Sequence, residues 1–143
     1  MRQDEFFTEF DAMFIELARR ARTGRFEPNC DVFLSDDGET IVVDVEIAGA
    51  EPAELRVGVE ERHLFILGRR LRREGATCGS MLMKEIEYGD FVKKIHLPIP
   101  VASGHATASY RDGMLTIRLP VSSGSPLPRR RIEIPMTVKR IPV

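Results

Sequence analysis

Residues 40–47 of this chain read Thr-Ile-Val-Val-Asp-Val-Glu-Ile, and this stretch decides the fold class. Isoleucine or valine occupies positions 41, 43, 45 and 47, and the acidic residues Asp44 and Glu46 fall between them. Side chains of an extended segment alternate between two faces. This period of two therefore predicts a β-strand with one face in a core and the other in water.

Short strand patterns of the same kind fill most of the chain after Pro28. Turn residues separate them, and no helical pattern alternates with them to cover a parallel sheet. We therefore predict an all-β antiparallel sandwich. Besides residues 40–47, the expected strands are 31–34, 55–59, 63–67, 81–87, 91–97, 106–110 and 114–119. The last four form two hairpins, one around Tyr88-Gly89-Asp90 and one around Arg111-Asp112-Gly113.

The first 27 residues have a different pattern, which predicts an amphipathic helical arm. Apolar side chains recur at spacings of three and four, with acidic residues at the start and arginines at the end, as the helix dipole favours. The apolar stripe consists of Phe6, Phe10, Met13, Phe14 and Leu17. We expect this face to pack against other chains. A partner-binding face ranks second, and a helix lying on a membrane surface ranks third.

The end of the chain carries an apolar motif behind a tether. Residues 122–128 are rich in Ser, Gly and Pro, as in flexible linkers, and Ile132-Glu133-Ile134 follows alone. The two isoleucines share one face of an extended segment but have no core of their own to enter. We therefore expect this motif to dock elsewhere. Ile141-Pro142-Val143 is a second candidate for the same role.

Composition limits the functional classes. The 143 residues are 43% hydrophobic and 30% charged, with a net charge of -1, which predicts one globular domain that folds without a cofactor. This charge gives no general attraction to nucleic acid, and no apolar run approaches the roughly 20 residues of a membrane span. Cys30 and Cys78 are far apart in the sequence, which favours a reducing cytoplasm over a disulfide framework.

Residues for catalysis are not evident. His63, His96 and His105 stand at no metal-ligand spacing, so no metal site is expected, and no histidine neighbours either cysteine in the sequence. The sequence has no nucleophile elbow, phosphate-binding glycine loop or zinc-protease motif. We therefore expect a protein that is not an enzyme.

Four fragments together resemble the alpha-crystallin domain of small heat-shock proteins. They are residues 85–91 (Glu-Ile-Glu-Tyr-Gly-Asp-Phe), Leu97-Pro98, residues 108–115 (Ala-Ser-Tyr-Arg-Asp-Gly-Met-Leu) and Ile132-Glu133-Ile134. The third matches the family's A-x-x-x-x-G-x-L signature, and the fourth matches its C-terminal I-x-I. The resemblance divides the chain into an arm (1–27), an alpha-crystallin domain (28–121) and a C-terminal extension (122–143).

The resemblance implies an immunoglobulin-like sandwich that dimerises, assembles further and holds unfolding proteins without ATP. In similar proteins the two subunits of the dimer exchange a strand carried on a long loop. The segment from Arg69 to Ser80 is long enough to be that loop. Lys93 stands where the family usually has an interface arginine. A sandwich-type co-chaperone module acting on a larger ATP-dependent chaperone is the alternative, although such modules typically lack the tail motif.

The resemblance also implies which residues bind. In the family the tail motif fills a groove at the sandwich edge of a neighbouring chain. That groove would here lie between Leu55, Val57 and Val59 on one side and His105 and Thr107 on the other. The arm would bind clients through Phe6, Phe7, Phe10, Met13 and Phe14.

Overall fold

The computed structural model describes residues 12, 15–16, 26–60, 62–72, 79–122 and 132–138. Within the arm, Ala12, Ile15 and Glu16 are helical, and the Ile15 side chain is exposed. The predicted client-binding residues of the arm lie outside the described residues, as do Ile141 and Val143.

Nine strands of the described residues form two sheets. The strands are β1 (Asn29–Leu34), β2 (Thr40–Glu46), β3 (Arg56–Glu60), β4 (His63–Arg70), β5 (Gly89–His96), β6 (Thr107–Arg111), β7 (Met114–Pro120), β8 (Ile132–Ile134) and β9 (Met136–Val138). One sheet has the order β1-β2-β7-β6-β9, and the other has the order β5-β4-β3-β8. Single 3-10 turns occur at Pro52–Glu54 and Ser103–His105. The predicted β-sandwich is confirmed.

The core of the first sheet comes from the alternation seen in the sequence. Strands β2 and β7 are antiparallel neighbours, and their inward residues pair directly across the strands: Ile41 with Leu119, Val43 with Ile117, and Val45 with Leu115. All six side chains are at most 1% exposed. Each such branched or leucine side chain contributes roughly 1.5–3 kcal/mol on burial, so this strand pair is a main source of stability.

The second sheet supplies the opposite half of the core. Val57 and Val59 of β3 pair with Ile66 and Leu64 of β4, and all four are buried. Near the end of β4, Gly68 lies opposite Phe91 of β5. A Cβ at position 68 would lie 2.3 Å from the Phe91 ring and 2.8 Å from Leu55, so glycine is required for this close approach.

The predicted hairpin of residues 106–119 is confirmed. Strands β6 and β7 are joined by Asp112 and Gly113, whose φ angles of 53° and 77° match the two-residue turn of a twisted hairpin. The Tyr110 hydroxyl at its base donates a 2.6 Å hydrogen bond to the Ile47 carbonyl oxygen. Burial raises the pKa of Tyr110, which keeps the phenol in its donating form.

The other predicted hairpin is wrong. Residues 81–88 are in no strand, and Gly89 begins β5 where a turn was expected. Strand β5 pairs with β4 over eight residues, a register that buries Phe91 and Ile95 in the core. Residues 81–87 are exposed instead. The prediction failed because a sequence pattern indicates that a segment can form a strand but not which strand it pairs with.

The predicted loop of residues 69–80 also starts later than expected. Arg69 and Arg70 continue β4, opposite Asp90 and Gly89 of β5. The Arg69 Nε atom lies 2.6 Å from Asp90 Oδ1, so a charge pair extends the strand beyond its apolar run. Residues 73–78 of this segment lie outside the described part.

Candidate functional site

The edge of β3 that faces away from β4 pairs with the C-terminal motif of the same chain. Strand β8 pairs antiparallel with β3, so that Ile134 faces Val57, Glu133 faces Gly58, and Ile132 faces Val59. The Ile134 side chain is 3% exposed and belongs to the sandwich core. An edge strand otherwise presents unpaired backbone groups, so the motif both fills an apolar site and completes a sheet.

The next residues cover an edge of the opposite sheet. Strand β9 pairs in parallel with β6, placing Met136 beside Ala108 and Val138 beside Tyr110. Between the two strands, the Pro135 carbonyl accepts a 3.3 Å hydrogen bond from the Ala108 amide. Residues 132–138 therefore contact both sheets at one side of the sandwich, and we call them the tail clasp.

Most of the predicted groove residues lie beneath the tail clasp, and two do not. Leu55, Val57 and Val59 are all buried there. His105 and Thr107 are exposed, whereas the intervening Ala106 and the following Ala108 are buried. The inward face of β6 is thus shifted by one residue from the expected one, and a shift of one residue exchanges the faces of a strand.

A two-pronged ion pair fixes the position of β8 on β3. Arg56 Nε lies 2.8 Å from Glu133 Oε1, and Arg56 Nη2 lies 2.9 Å from Glu133 Oε2. The side chains are only 22% and 13% exposed, so solvent screens the pair incompletely. Paired parallel hydrogen bonds of this kind give geometric specificity as well as energy. Neither residue was predicted in this role, although pairing the isoleucines with Val57 and Val59 brings the two charges together.

The residues predicted for a dimer interface lie around β4 and β5. Lys93 Nζ is 3.5 Å from a Glu27 carboxylate oxygen, and the lysine side chain is 18% exposed. Arg69 contacts Asp90 and lies 3.6 Å from Glu54. The hydrogen bond to Asp90, with the charges of both carboxylates, raises the pKa of Arg69.

Arg70 binds the C-terminal end of residues 81–88, the segment that lies in no strand. Its guanidinium donates to the Glu87 carbonyl at 2.6 and 3.0 Å and to the Ala48 carbonyl at 3.2 Å. It also lies 4.0 Å from the centre of the Phe26 ring, a favourable cation–π distance. An open groove of about 650 Å³ lies beside these residues and includes Ile86 and Tyr88.

Among the residues that the structure describes, exposed apolar side chains cluster on two stretches. One is the segment before β5, where Met81, Leu82 and Met83 are 55%, 96% and 73% exposed. The other is β1, an edge strand whose last three residues, Val32 to Leu34, are 39–48% exposed. In proteins generally, exposed apolar side chains on a sheet edge offer a template for pairing with another chain.

The comparison with known proteins agrees with this arrangement. The sequence profile of the Hsp20/alpha crystallin family matches residues 34–135, from the end of β1 to the middle of the tail clasp. The chain belongs to the Hsp20/alpha crystallin family. Small heat-shock proteins are ATP-independent chaperones, and this chain is one of them. The resemblance found in the sequence is thereby confirmed.

Individual small heat-shock proteins match over much of the chain. Heat shock protein 16 of Schizosaccharomyces pombe is 29% identical over 99 residues, which cover 68% of this chain and 68% of that protein. The solved structure of heat shock protein 16.0 from Schizosaccharomyces pombe is 25% identical, with a TM-score of 0.62, over 83% of this chain and 99% of that one. A small heat-shock protein from Xylella fastidiosa, whose crystal structure reveals a distinct high order structure, is 25% identical with a TM-score of 0.60, over 75% of this chain and 95% of that one.

In the part of the chain that the structure describes, no helix has the length and apolar character needed to cross a membrane. Among the same residues, no group of three or more histidine, cysteine or carboxylate side chains is placed to hold a metal ion.

Replacing Glu133 by Gln should loosen the tail clasp from β3. Glutamine keeps the shape of the side chain but not its charge, so we expect the β3 amides to exchange hydrogen about tenfold faster, as for a loss of ~1.4 kcal/mol. Arg56→Lys should act similarly, because a lysine ammonium cannot form the two parallel hydrogen bonds that the Arg56 guanidinium makes to the Glu133 carboxylate. Amide hydrogen exchange followed by mass spectrometry measures the effect.

Asp112→Asn is the matched control for this prediction. Asp112 pairs with Arg111, but these side chains are 50% and 62% exposed, and Asn tolerates the positive φ at this position. Exchange of the β3 amides should not change in this variant. Equal exchange in all three variants and the unmodified chain would show that the Arg56–Glu133 pair does not hold the tail clasp.

Proposed function

We propose that the protein is a holdase that keeps unfolding proteins from aggregating through apolar surfaces that its own assembly covers and uncovers. The observation that carries the proposal is the tail clasp, which buries Ile134 in the core by contacts of only a few residues. A contact of that size is specific but reversible, because its gain from apolar burial is offset by the cost of ordering the tail. Its release exposes an apolar groove and a free sheet edge.

The tail clasp is proposed to dock on neighbouring chains as well as on its own. Ten residues, 122–131, connect β7 and the following bridge to β8, and a peptide of that length reaches up to about 35 Å when extended. Identical subunits offer identical grooves, so the contacts of Ile134 and Glu133 are available in either arrangement. Many such weak contacts in one assembly add up to a stable complex.

Of the two candidate motifs, Ile132-Glu133-Ile134 is the proposed docking motif. Glu133 supplies the carboxylate that Arg56 binds, and its backbone faces Gly58 within the sheet. In Ile141-Pro142-Val143 the central residue is proline, which has neither a carboxylate nor an N–H group.

The dimer is proposed to form by exchange of the exposed segment at residues 81–86. We expected the loop from Arg69 to Ser80 to serve this exchange, and the exposed Met81, Leu82 and Met83 follow directly after it. The proposed acceptor is the free edge of β1 in the other subunit, whose exposed apolar residues would then be covered. Lys93 would lie near this contact through Glu27, which precedes β1.

The arm residues Phe6, Phe7, Phe10, Met13 and Phe14 complete the proposal as the client-binding side chains. Aromatic rings and methionine offer large, adaptable apolar area without requiring a particular client sequence. The cytoplasm is the proposed compartment, supported by the free thiol of Cys30. No observation favours the co-chaperone alternative.

Holdase activity predicts that the chain suppresses aggregation of a heat-sensitive client without nucleotide. Light scattering of a client heated alone and with excess chain measures it. We expect strong suppression, and the same suppression after ATP is added or removed. Client scattering that is undiminished at excess chain, or that falls only with ATP, would contradict the proposal.

Docking between subunits predicts that Ile132→Ala together with Ile134→Ala shifts the mass distribution toward dimers. The substitutions truncate both isoleucines of the motif, while the sandwich core of β2 and β7 is untouched. Native mass spectrometry at one fixed protein concentration provides the readout. The pair Ile141→Ala and Val143→Ala is the control and should leave the large species intact. An unchanged mass in the first variant and a reduced mass in the second would assign docking to the last residues.

Strand exchange predicts that Met81→Glu together with Met83→Glu converts the protein toward monomers. Both positions fall on one face of an extended segment, and burying two carboxylates in an interface is costly. Met81→Leu with Met83→Leu preserves the apolar character and should retain the dimer. If the glutamate variant keeps the native mass of the unmodified protein, residues 81–86 do not form the interface.

A further inference from the structure

Two histidines far apart in the sequence meet at one end of the β4–β5 pair. His63 is the first residue of β4, His96 is the last residue of β5, and the two lie directly opposite each other. Just beyond them, the Leu97 amide donates a 2.6 Å hydrogen bond to the Arg62 carbonyl. That bond makes the histidines a non-hydrogen-bonded pair, the arrangement in which opposed side chains of an antiparallel ladder approach most closely.

The separation of their ring nitrogens matches that of two ligands on one metal ion. His63 Nε2 lies 3.3 Å from His96 Nδ1, and the ring centres are 5.1 Å apart. Two nitrogens bound at about 2.0–2.1 Å with a tetrahedral angle between them stand about 3.3–3.4 Å apart. Little movement is therefore needed to direct both lone pairs at a common point. The hydrogen bond that joins the free rings uses the same two atoms and would be exchanged for the metal bonds.

We propose that His63 and His96 form a surface binding site for a late first-row divalent cation such as Zn²⁺ or Cu²⁺. Neutral imidazole nitrogen is a favoured ligand of these ions. The site lies at the surface, so the ion can enter without opening the fold. With two protein ligands, the remaining coordination positions are open to water or to a donor from another molecule.

The charges around the pair are compatible with a bound cation. Glu60 of β3 occupies the position opposite His63 on its other side, so a carboxylate stands in the same row across three strands. Two basic side chains lie close in sequence to the pair. Lys94 of β5 is opposite Phe65, with its Nζ 5.7 Å from the Phe65 ring centre, and Arg62 is exposed beside His63.

Isothermal titration of the untagged chain of residues 1–143 with Zn²⁺ tests the site. Thiolates also bind this ion, so every protein compared carries Cys30→Ser and Cys78→Ser. We expect one site per chain, with affinity falling by at least about tenfold in His63→Asn and equally in His96→Asn, since each removes one of two ligands. His105→Asn is the matched control and should leave the affinity unchanged. His105 is exposed, and it is the one described histidine that does not lie opposite another histidine. Circular dichroism confirms that each variant is folded.

Electron paramagnetic resonance of the Cu²⁺ complex gives a second, independent readout. The proposed site predicts coupling to two imidazole nitrogens in the unmodified pair and to one in either single variant. Coupling to a single nitrogen in the parent protein would overturn the proposal. So would Zn²⁺ affinity that is the same in His63→Asn and the parent, or that falls equally in His105→Asn, which would indicate independent surface histidines.

Discussion

The structure depends on the packing of two apolar sheet faces against each other. Strands β2 and β7 present one face, and β3 and β4 present the other, with valine, isoleucine and leucine at nearly every inward position. This arrangement closes the core but leaves strands at the rims with unpaired backbone groups. The features to which we assign functions by proposal all lie at or near those rims: the tail clasp, β1 and the segment at residues 81–86. The packed core thus keeps the fold stable while the strand edges stay available for further contacts.

Much of this arrangement is present in the local sequence. The alternation at residues 40–47 and 114–119 and the Asp112-Gly113 turn specify strands and a hairpin by themselves, because their side chains and φ angles are satisfied by near neighbours. The burial of Leu55, Val57 and Val59 on one face follows from the same alternation, whereas their place in a groove was implied by the family resemblance. The ordered motifs of the family added the connection between the tail and the groove.

The remaining features depend on which segments meet, and no local pattern contains that information. Residues 81–87 were predicted as a strand but pair with no strand in the described part of the chain. The inward side chains of β6 are Ala108 and Tyr110, so the expected groove residue Thr107 faces outward, and His105 lies in a 3-10 turn before the strand. For the same reason, a local pattern does not predict contacts between residues that are distant in the sequence. Arg56 and Glu133 are 77 residues apart, and His63 and His96 are 33 apart.

The opposite pairing directions within the tail clasp give it polarity. Strand β8 runs antiparallel to β3, and β9 runs parallel to β6, so the segment fits its groove in one direction only. In the proposed docking on another subunit, when that subunit does not dock back, each chain donates one surface and receives at a different one, which is a heterologous contact. Repetition of such a contact ends only when the rotation between neighbours closes a ring or shell. For the proposed docking, the rotation that relates one groove to the next therefore decides whether the assembly is finite.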